Sequence, residues 1–327
     1  MPETLPPVRS LNPDWWKGKR VLVTGADGFI GQRVISWLTD WELVPSGHIR
    51  GFSLPDGDLR SPSDARWAVA GCDVVLHLAA DVGGLGYSST HSAEQYYNCS
   101  AIDLSIIEAA RARSISRVVF TSCSAAYPAE ATSPLREGSL FDGPPSDNHL
   151  GYGLAKRNGI VLANLYSKQY GMSVSAIIAN NVYGPNDHFD ATSHVVAALI
   201  GKCCSNANEM EVWGDGSPTR DFVFVDDVVS GLLLATEHLG PGEYVNIGSG
   251  VETSIAQLVQ SIVDLTGFTG ELRFSPDKPG GEARRSLDTS KARREIGYVP
   301  HVSLNDGLRR TIDWYRATYP NGAAGTP

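Results

Sequence analysis

An α/β fold with a doubly wound parallel sheet is predicted by two features of the sequence. Short apolar runs rich in β-branched residues, typical of buried parallel strands, alternate with segments whose apolar spacing is helical. A glycine-rich segment, residues 24–31, lies between the first such strand and the first such helix. Strands that alternate with helices in this way form a parallel sheet covered on both faces.

The glycine-rich segment predicts a turn that holds phosphates. Gly25 permits a tight turn, Gly28 lets the backbone approach a pyrophosphate, and Gly31 allows close packing of helix on strand. The phosphates would lie at the positive N-terminus of the helix. The other predicted cofactor contacts in this turn are Asp27, Phe29 and Ile30. Because such spacings also occur in ordinary loops, the interpretation depends on the strand before the turn and the helix after it.

The remaining elements follow in order and suggest two lobes. Strands are predicted at 19–23, 48–54, 74–80, 117–122 and 174–178, and helices at about 32–38, 92–113 and 152–170. From residue 181 the chain becomes richer in Gly, Pro, Asn and Asp, which favours a smaller α/β lobe. The predicted domains are a Rossmann-type dinucleotide-binding domain over 16–180, completed by about 222–248, a substrate-binding lobe over 181–221 and 249–320, and flexible tails at 1–15 and 321–327.

Composition excludes several classes of protein. The chain has 327 residues, of which 42% are hydrophobic, enough for a large core. No apolar run approaches the roughly 20 residues of a membrane span, and the N-terminal region does not resemble a signal peptide. A net charge of −9 argues against nucleic-acid binding, and five scattered cysteines indicate neither a disulfide framework nor a metal site. We therefore expect a cytoplasmic protein without nucleic-acid, membrane or metal partners.

A tyrosine and a lysine four residues apart supply candidate chemistry. Tyr152 and Lys156 lie in a predicted helix, so both side chains are on one face. An ammonium beside a phenol favours the phenolate and lowers a pKa that is ordinarily about 10. The pair is thus predicted to exchange a hydroxyl proton near neutral pH. The alternative interpretation is an exposed helix that carries an ordinary Tyr and Lys. The presence of a dinucleotide-binding turn in the same chain argues against it.

Together with further motifs, these segments resemble the extended short-chain dehydrogenases over residues 20–314. The further motifs are Asp58-Leu59, His77-Leu78-Ala79-Ala80, Asn98 and the strand ending at Thr121-Ser122-Cys123-Ser124. Within that family the chain is most similar to GDP-L-fucose synthases and GDP-mannose 3,5-epimerases. This closer resemblance is carried by residues 81–86, 126–128, 181–185, 193–195, 213–220 and 278–281. It implies an NAD(P)-dependent enzyme for a nucleotide-linked hexose, with GDP as the nucleotide, acting at C4 as 4-keto reductase, epimerase or both.

The resemblance also implies roles for single residues. Tyr152 would be the acid/base on the C4 oxygen, and Lys156 would bind the nicotinamide ribose. The further cofactor contacts would be Asp58, Leu59, Leu78, Ala79, Ala80 and Asn98. The substrate contacts would be Gly84, Ser124, Asn181, His194, Arg220 and Lys278. Arg220 is the strongest candidate for a substrate phosphate, which arginine binds through two parallel hydrogen bonds.

Two positions depart from the pattern of the family. The Ser or Thr that hydrogen-bonds the C4 oxygen is replaced by Cys123, and a thiol is a poor donor, so Ser122 or Ser124 would act instead or the contact would be weaker. The cysteine base of the fucose synthases and 3,5-epimerases is replaced by Ala125, although His194 matches their acid. Epimerisation by the usual pair is therefore in doubt, and hydride chemistry at C4 is the better supported activity.

The cofactor is expected to be NADP, with NAD as the alternative. The second strand ends without the acidic residue that would hold the ribose 2′-hydroxyl of NAD. Ser53 and Arg50 are compatible with a 2′-phosphate, although Asp56 and Asp58 follow closely. Asp58 is expected against the adenine.

Two other functions stay open. One is a 3,5-epimerase with a relocated base, in which Cys123 works with His194. The other is a non-catalytic dinucleotide-binding protein of the same fold, against which the retention of Tyr152 and Lys156 argues. By analogy, the helices at 92–113 and 152–170 pair between subunits, which predicts a homodimer.

Overall fold

A computed structural model describes residues 11–190, 192–205, 208–278 and 282–320. Of the tails predicted at 1–15 and 321–327, residues 1–10 and 321–327 lie outside this part of the chain. The strands are β1 (Val21–Thr24), β2 (Ile49–Phe52), β3 (Val74–His77), β4 (Arg117–Cys123), β5 (Val174–Ala179), β6 (Val182–Tyr183), β7 (Glu209–Trp213), β8 (Thr219–Asp221), β9 (Val223–Phe224), β10 (Tyr244–Ile247), β11 (Glu252–Ser254), β12 (Glu271–Ser275) and β13 (Arg284–Arg285). The helices are α1 (Pro13–Trp16), α2 (Phe29–Asp40), α3 (Pro62–Ala68), α4 (Leu85–Thr90), α5 (Ser92–Ala112), α6 (Leu150–Tyr170), α7 (Val195–Cys204), α8 (Val225–His238), α9 (Ile255–Thr266), α10 (Ser290–Ile296) and α11 (Leu304–Thr318). No helix in the described ranges combines the length and apolar character needed to cross a membrane.

A six-stranded parallel sheet forms the centre of the molecule, in the order β2-β1-β3-β4-β5-β10. The predicted doubly wound α/β fold is therefore confirmed. The strand order reverses direction between β1 and β3, and ligands of such sheets bind outside the carboxyl ends of the strands at that point. The loops after Thr24 and His77, which are direct neighbours in the register, thus mark the expected binding crevice.

Helices cover both faces of this sheet. Val21 and Val23 of β1 belong to one apolar cluster with α2 and α8, whereas Leu22 belongs to a second cluster with α3, α5 and α6. Because both faces are buried, the strands are apolar at nearly every position, as the sequence predicted. This rigid layer structure fixes the relative positions of the loops at the carboxyl edge.

The part of the chain after β5 alternates between this sheet and smaller ones. The predicted return at 222–248 consists mainly of a buried helix, α8, and only β10 joins the main sheet. Beyond it, β11, β8 and β13 form a three-stranded sheet, and β7 pairs with β12.

The first described residues are packed rather than free. The sequence predicted a flexible tail through residue 15, but α1 begins at Pro13, and the Trp16 side chain is fully buried. The Trp16 indole donates to the Glu237 carboxylate at 2.5 Å, and the Asn12 amide donates to the same carboxylate. Residues 11–16 are therefore anchored on α8.

Candidate active site

The glycine turn lies at the carboxyl edge of the sheet, between β1 and α2. Gly25 has a φ of +66°, and a Cβ there would approach the Ala79 nitrogen to 3.0 Å. A Cβ on Gly31 would lie 2.1 Å from the Gly25 oxygen, which is too close for any side chain. Gly28 is the N-cap of α2, and no side chain of the described residues caps that helix end. The turn therefore fits a pyrophosphate, which the first amides of α2 would bind.

The side chains around the turn tie it to the second strand. The Asp27 amide donates to the Ser53 hydroxyl at 2.9 Å. Phe29 and Ile30 begin α2 and pack against the core. Arg50, by contrast, donates to carbonyls at the end of α3 and just beyond it, at residues 67, 68 and 70. The Arg50 guanidinium is therefore engaged with the backbone, and its compatibility with a 2′-phosphate stays a prediction.

The predicted adenine side is organised by two residues that sequence reasoning missed. Asp58 is ion-paired with Arg60 at 2.6 Å, and Arg60 donates to the Asn98 side chain at 2.8 Å. Asn98 in turn donates to the carboxylate of Asp81 at 2.8 Å. Leu59 is buried beside them. The structure thus brings Asp58 and Asn98 together through Arg60, and Asp81 holds Asn98 from the other side.

The loop after β3 is held by its neighbour strand. The backbone amides of Leu78 and Ala79 donate to the Thr24 hydroxyl at 3.1 and 3.2 Å. Ala80 follows directly in the same loop. The loops after β1 and β3 therefore form one continuous wall of the crevice.

Close packing of α6 positions Tyr152 and Lys156. A Cβ on Gly151 would lie 1.8 Å from the Ser92 oxygen, and one on Gly153 would lie 2.3 Å from the Ala125 oxygen. Only glycine on either side of Tyr152 lets the first turn of α6 approach α5 and the loop after β4 this closely. Lys156, one turn on, is 2% exposed and therefore effectively enclosed.

Three side chains at the end of β4 have different partners. The Ser122 hydroxyl donates to the Lys156 carbonyl at 3.3 Å, and the Ser124 hydroxyl donates to the Asn180 side chain at 2.7 Å. Cys123, between them, is the residue whose thiol contacts the Tyr152 phenol. Both serine hydroxyls are engaged elsewhere, and the alternative that Ser122 or Ser124 takes over from Cys123 stays a prediction.

The protonation state of Tyr152 differs from the sequence-based expectation. Burial, with further contributions from Cys123 and Cys99, raises the pKa of Tyr152 well above its ordinary value. The expected lowering of this pKa by Lys156 is thus outweighed by the loss of solvent. Burial also raises the pKa of the Cys123 thiol. Both groups therefore hold their protons at physiological pH.

Two loops meet on the side of the crevice where the substrate contacts are predicted. Gly84 caps α4, and its amide donates to the Thr192 carbonyl at 3.0 Å. A Cβ on Gly84 would lie 2.6 Å from the Ser193 oxygen. His194 follows as the N-cap of α7, and burial, with the nearby charge of His188, lowers its pKa. Gly84 and His194 are therefore neighbours, and the imidazole of His194 is neutral.

A group of basic side chains surrounds the entry to α6. Burial lowers the pKa of His149, and Arg285, His194 and Arg220 add to this effect by their charge. Arg220 lies on β8 opposite Arg285 of β13, and donates to the Glu282 carbonyl at 2.6 Å. The sequence analysis did not include His149 among the candidate site residues. Its position three residues before Tyr152 was the feature that could have indicated it.

The loop after β4 and the smaller sheets are joined by hydrogen bonds. Asn180 accepts from Ser124 and from Asn181, whose side chain also donates to the Asp221 carbonyl. Arg285 donates to the Ser124 carbonyl at 2.7 Å. Ser124 and Asn181 are thus close, although Ser124 reaches Asn180 rather than Tyr152.

Lys278 lies apart from these groups. Its ammonium is 2.7 Å from the Glu211 carboxylate and lies over the Trp213 ring, on the surface of the β7 and β12 pair. The following residues of its motif, 279–281, fall outside the described ranges. The structure therefore does not bring Lys278 to the other predicted substrate contacts.

The fold and the site define the class of protein. A parallel sheet with a glycine turn at its switch point, and a tyrosine and lysine on one helix, characterise an enzyme of the extended short-chain dehydrogenase type. The described residues hold no group of three or more candidate metal ligands.

Comparison with known proteins identifies the family. The chain belongs to the NAD dependent epimerase/dehydratase family, whose model matches residues 21–248. It is 34% identical over 305 residues to a probable GDP-L-fucose synthase 1 of Oryza sativa subsp. japonica, covering 91% of this chain and 92% of that protein. It is 32% identical over 330 residues to a dTDP-4-dehydro-6-deoxy-D-allose reductase of Streptomyces sp, covering 94% and 99%. A solved structure, a GDP-L-fucose synthetase from Naegleria fowleri bound to NADP, superposes with a TM-score of 0.84 at 24% identity, covering 94% and 95%. These findings confirm the resemblance that the motifs indicated.

Proposed function

We propose that this protein is an NADPH-dependent reductase of the C4 ketone in a nucleotide-linked 4-keto-6-deoxyhexose, with GDP as the nucleotide. The observation that carries the proposal is the neutral Tyr152 phenol at the carboxyl edge of the sheet, one turn from the buried ammonium of Lys156. A neutral phenol is suited to protonating a carbonyl oxygen as the carbon is reduced. The similar fucose synthase and allose reductase support the substrate class.

Different residues of this chain would have different roles in the reduction at C4. When bound, NADPH supplies a hydride to the carbonyl carbon. Tyr152 gives its phenolic proton to the oxygen, so that the ketone becomes a hydroxyl. Lys156, held charged in the interior, stabilises the phenolate left on Tyr152 and would hold the nicotinamide ribose. The Cys123 thiol contacts the phenol.

Epimerisation at C3 or C5 is disfavoured by the same residues. Ala125 has no acidic proton to exchange and stands where the resemblance places a base. Cys123, the candidate substitute, has a thiol pKa raised by burial. The acid partner His194 is neutral, because burial lowers its pKa. For a 3,5-epimerase, the site therefore lacks both an ionised base and a charged acid.

The basic group near α6 supports an anionic substrate. Arg220, Arg285 and His149 lie close enough to influence one another, and they are beside the loop that carries Cys123. An arginine fork there would bind the pyrophosphate of a nucleotide sugar. We accordingly propose residues 181–221 and 249–320 as the substrate-binding lobe, with the dinucleotide-binding domain over 16–180 and 222–248.

A cytoplasmic location and a homodimer complete the proposal. All five cysteines are free, as in a reducing compartment. Exposed apolar side chains on α5 and α6 support pairing of these helices between two copies; they are Tyr97, Leu104, Val161 and Leu165. Light scattering of the Leu165→Asp variant should report a monomer. Leu54→Asp, at an exposed site outside these helices, should leave the dimer intact.

One experiment separates the candidate functions. The protein is mixed with NADPH and a GDP-4-keto-6-deoxyhexose in deuterated water, and the absorbance of NADPH and the mass and NMR spectra of the sugar are followed. Loss of NADPH absorbance without deuterium at C3 or C5 is the expected result, and NADH should react more slowly. Deuterium at those carbons would instead identify an epimerase. A dTDP-linked substrate tests the nucleotide, and cofactor binding without any turnover would indicate a non-catalytic protein.

The Tyr152→Phe variant tests the assigned acid. Turnover should fall by about 10²-fold or more, as when a general acid is lost, while NADPH binding is retained. Tyr166→Phe, on the same helix but at the surface beside Glu108, is the matched control and should keep full activity. Equal loss in both variants would contradict the role of Tyr152.

A further inference from the structure

A buried chain of polar groups connects the loop after β3 to Lys156. The Thr24 hydroxyl is 2.7 Å from His77 Nδ1, and His77 Nε2 is 3.1 Å from Asp103 Oδ1. The Lys156 Nζ lies 4.0 Å from the same Asp103 oxygen. His77, Asp103 and Lys156 are each 2% exposed. The sequence analysis gave no role to Asp103. The feature that could have indicated a role is its position as an acidic residue on the apolar face of α5.

The hydrogen bonds determine the tautomer of His77. Thr24 Oγ1 already accepts from the amides of Leu78 and Ala79, which occupies both of its lone pairs. Its own proton is therefore donated to His77 Nδ1, so the ring proton lies on Nε2 and is donated to Asp103. A doubly protonated ring would leave the Nδ1 proton without an acceptor. The Nε2 proton of His77 therefore orients the carboxyl group of Asp103.

Lys156 needs this carboxylate because it is enclosed. Taking an ammonium out of water is costly unless a counter-charge is close. Within the described ranges, Asp103 is the carboxylate within 4.0 Å of the Lys156 ammonium. Burial lowers the pKa of Lys156, but Asp103, Cys99 and Cys123 together outweigh burial and the pKa is raised, with Asp103 contributing most of the three. A Cβ on Gly159 would come within 2.8 Å of Asp103 Oδ2, so a glycine on α6 provides the space for this carboxylate.

We propose that Asp103 is a positioning residue that, oriented by His77 and Thr24, keeps Lys156 charged and in place for proton donation by Tyr152. This inference rests on the proposed function, because it assigns the support for the same proton transfer. The groups that face Lys156 and Tyr152 are Asp103 and Cys99 from α5 and Cys123 from β4. Of these, Asp103 contributes most to raising the pKa of Lys156, and burial raises the pKa of both thiols.

The first test measures Lys156 directly, without cofactor or substrate. The chain has seven lysines, so NMR of protein labelled at the lysine Cε carbons resolves few signals, and Lys156→Arg assigns the one of interest. In the wild type the Lys156 signal should titrate above the ordinary lysine pKa. In Asp103→Asn it should titrate about one pH unit lower or more, because burial then acts without a counter-charge. Ser100→Ala, one turn earlier on α5, should titrate like the wild type.

The second test uses the pH dependence of turnover. Loss of the Asp103 charge makes Lys156 deprotonate at lower pH and also lowers the pKa of Tyr152. Because of both effects, proton donation by Tyr152 should cease at a lower pH. The alkaline limb of the kcat profile should therefore move to lower pH in Asp103→Asn, with the KM for NADPH little changed. Asp103→Glu, which keeps the charge, should restore the limb. A merely structural role would lower the melting temperature and leave the limb in place.

The outcomes are distinguishable from those of the proposed function. If Lys156 titrates in Asp103→Asn as it does in the wild type, the inference is wrong, whatever the activity. If the wild type turns over no 4-keto sugar, the proposed function fails, and the NMR titration still decides the role of Asp103. Asp103→Ser, a smaller neutral side chain that still accepts from His77, replaces Asp103→Asn should that variant not fold.

Discussion

The thiol of Cys123 contacts the phenol of Tyr152 at the place where the resemblance expects a hydroxyl. A thiol donates a weaker hydrogen bond than a hydroxyl does, so the C4 oxygen is held less firmly. The Cys123→Ser variant should therefore raise kcat severalfold with little change in KM for NADPH, measured by NADPH consumption. Cys72→Ser, at a half-buried thiol remote from the site, is the control. An unchanged or lower kcat in Cys123→Ser would show that the thiol is preferred at this position.

Gly31 is predicted to be irreplaceable in the cofactor turn. Its Cβ would lie 2.1 Å from the Gly25 oxygen, so alanine must displace α2 from β1. Overpacking of this kind typically costs about 1 to 3 kcal/mol. We expect Gly31→Ala to lower the melting temperature and to weaken NADPH binding at least about tenfold, which corresponds to 1.4 kcal/mol. Fluorescence titration with NADPH measures the binding.

Gly47→Ala is the matched control for the turn. A Cβ on Gly47 would meet no described atom within 4 Å, so this variant should bind NADPH normally. Similar affinities in both variants would mean that the backbone of α2 does not form the phosphate site.

The fold could be predicted from the sequence because parallel strands are buried on both faces. Residues 74–77 and 117–120 are uninterrupted apolar or nearly apolar runs, and both became central strands. The network of Asp103 could not be predicted in this way. Thr24 and His77 are 53 positions apart, and they meet only because β1 and β3 pair in one particular register. The contacts of Arg50 and Lys278 could not be predicted for a related reason, because a long basic side chain binds whichever carbonyl or carboxylate the tertiary structure brings near.

Asp187 should make the stability of the protein depend on pH. Burial raises the pKa of Asp187 to about 7, and its Oδ2 has no described hydrogen-bond partner. The unfolded chain ionises this carboxyl near pH 4, whereas the folded protein keeps it protonated until about pH 7. Stability is therefore lost as the pH rises across that interval, by at most about 4 kcal/mol, since one pKa unit corresponds to about 1.4 kcal/mol.

The Asp187→Asn variant tests this sign. The amide oxygen can still accept from the His188 backbone, as the carboxylate does at 2.8 Å. The variant should be more stable than the wild type in urea unfolding at pH 8, and the difference should vanish toward pH 4. Asp190→Asn should behave oppositely, because hydrogen bonds from Thr192 lower the pKa of Asp190. A pH-independent difference for Asp187→Asn would mean that its carboxyl is ionised in the folded state.

Ala125 offers a gain-of-function test of the missing base. It lies in the short 3₁₀ helix after β4, and its carbonyl packs against Gly153, next to Tyr152. A thiol at this position would stand where the resemblance places the base that removes protons beside the 4-keto group. Exchange needs only a base on one face, so a neutral His194 does not prevent it. We therefore expect Ala125→Cys, in deuterated water without NADPH, to introduce deuterium at C3 or C5 of the 4-keto sugar, where the wild type introduces none.

Ala125→Ser fills similar space without an ionisable thiol and should behave like the wild type. Mass spectrometry and proton NMR of the recovered sugar give the readout. If Ala125→Cys shows no exchange while its reductase activity persists, the substrate is held so that C3 and C5 lie out of reach of residue 125, and the loss of epimerisation involves more than the loss of one thiol.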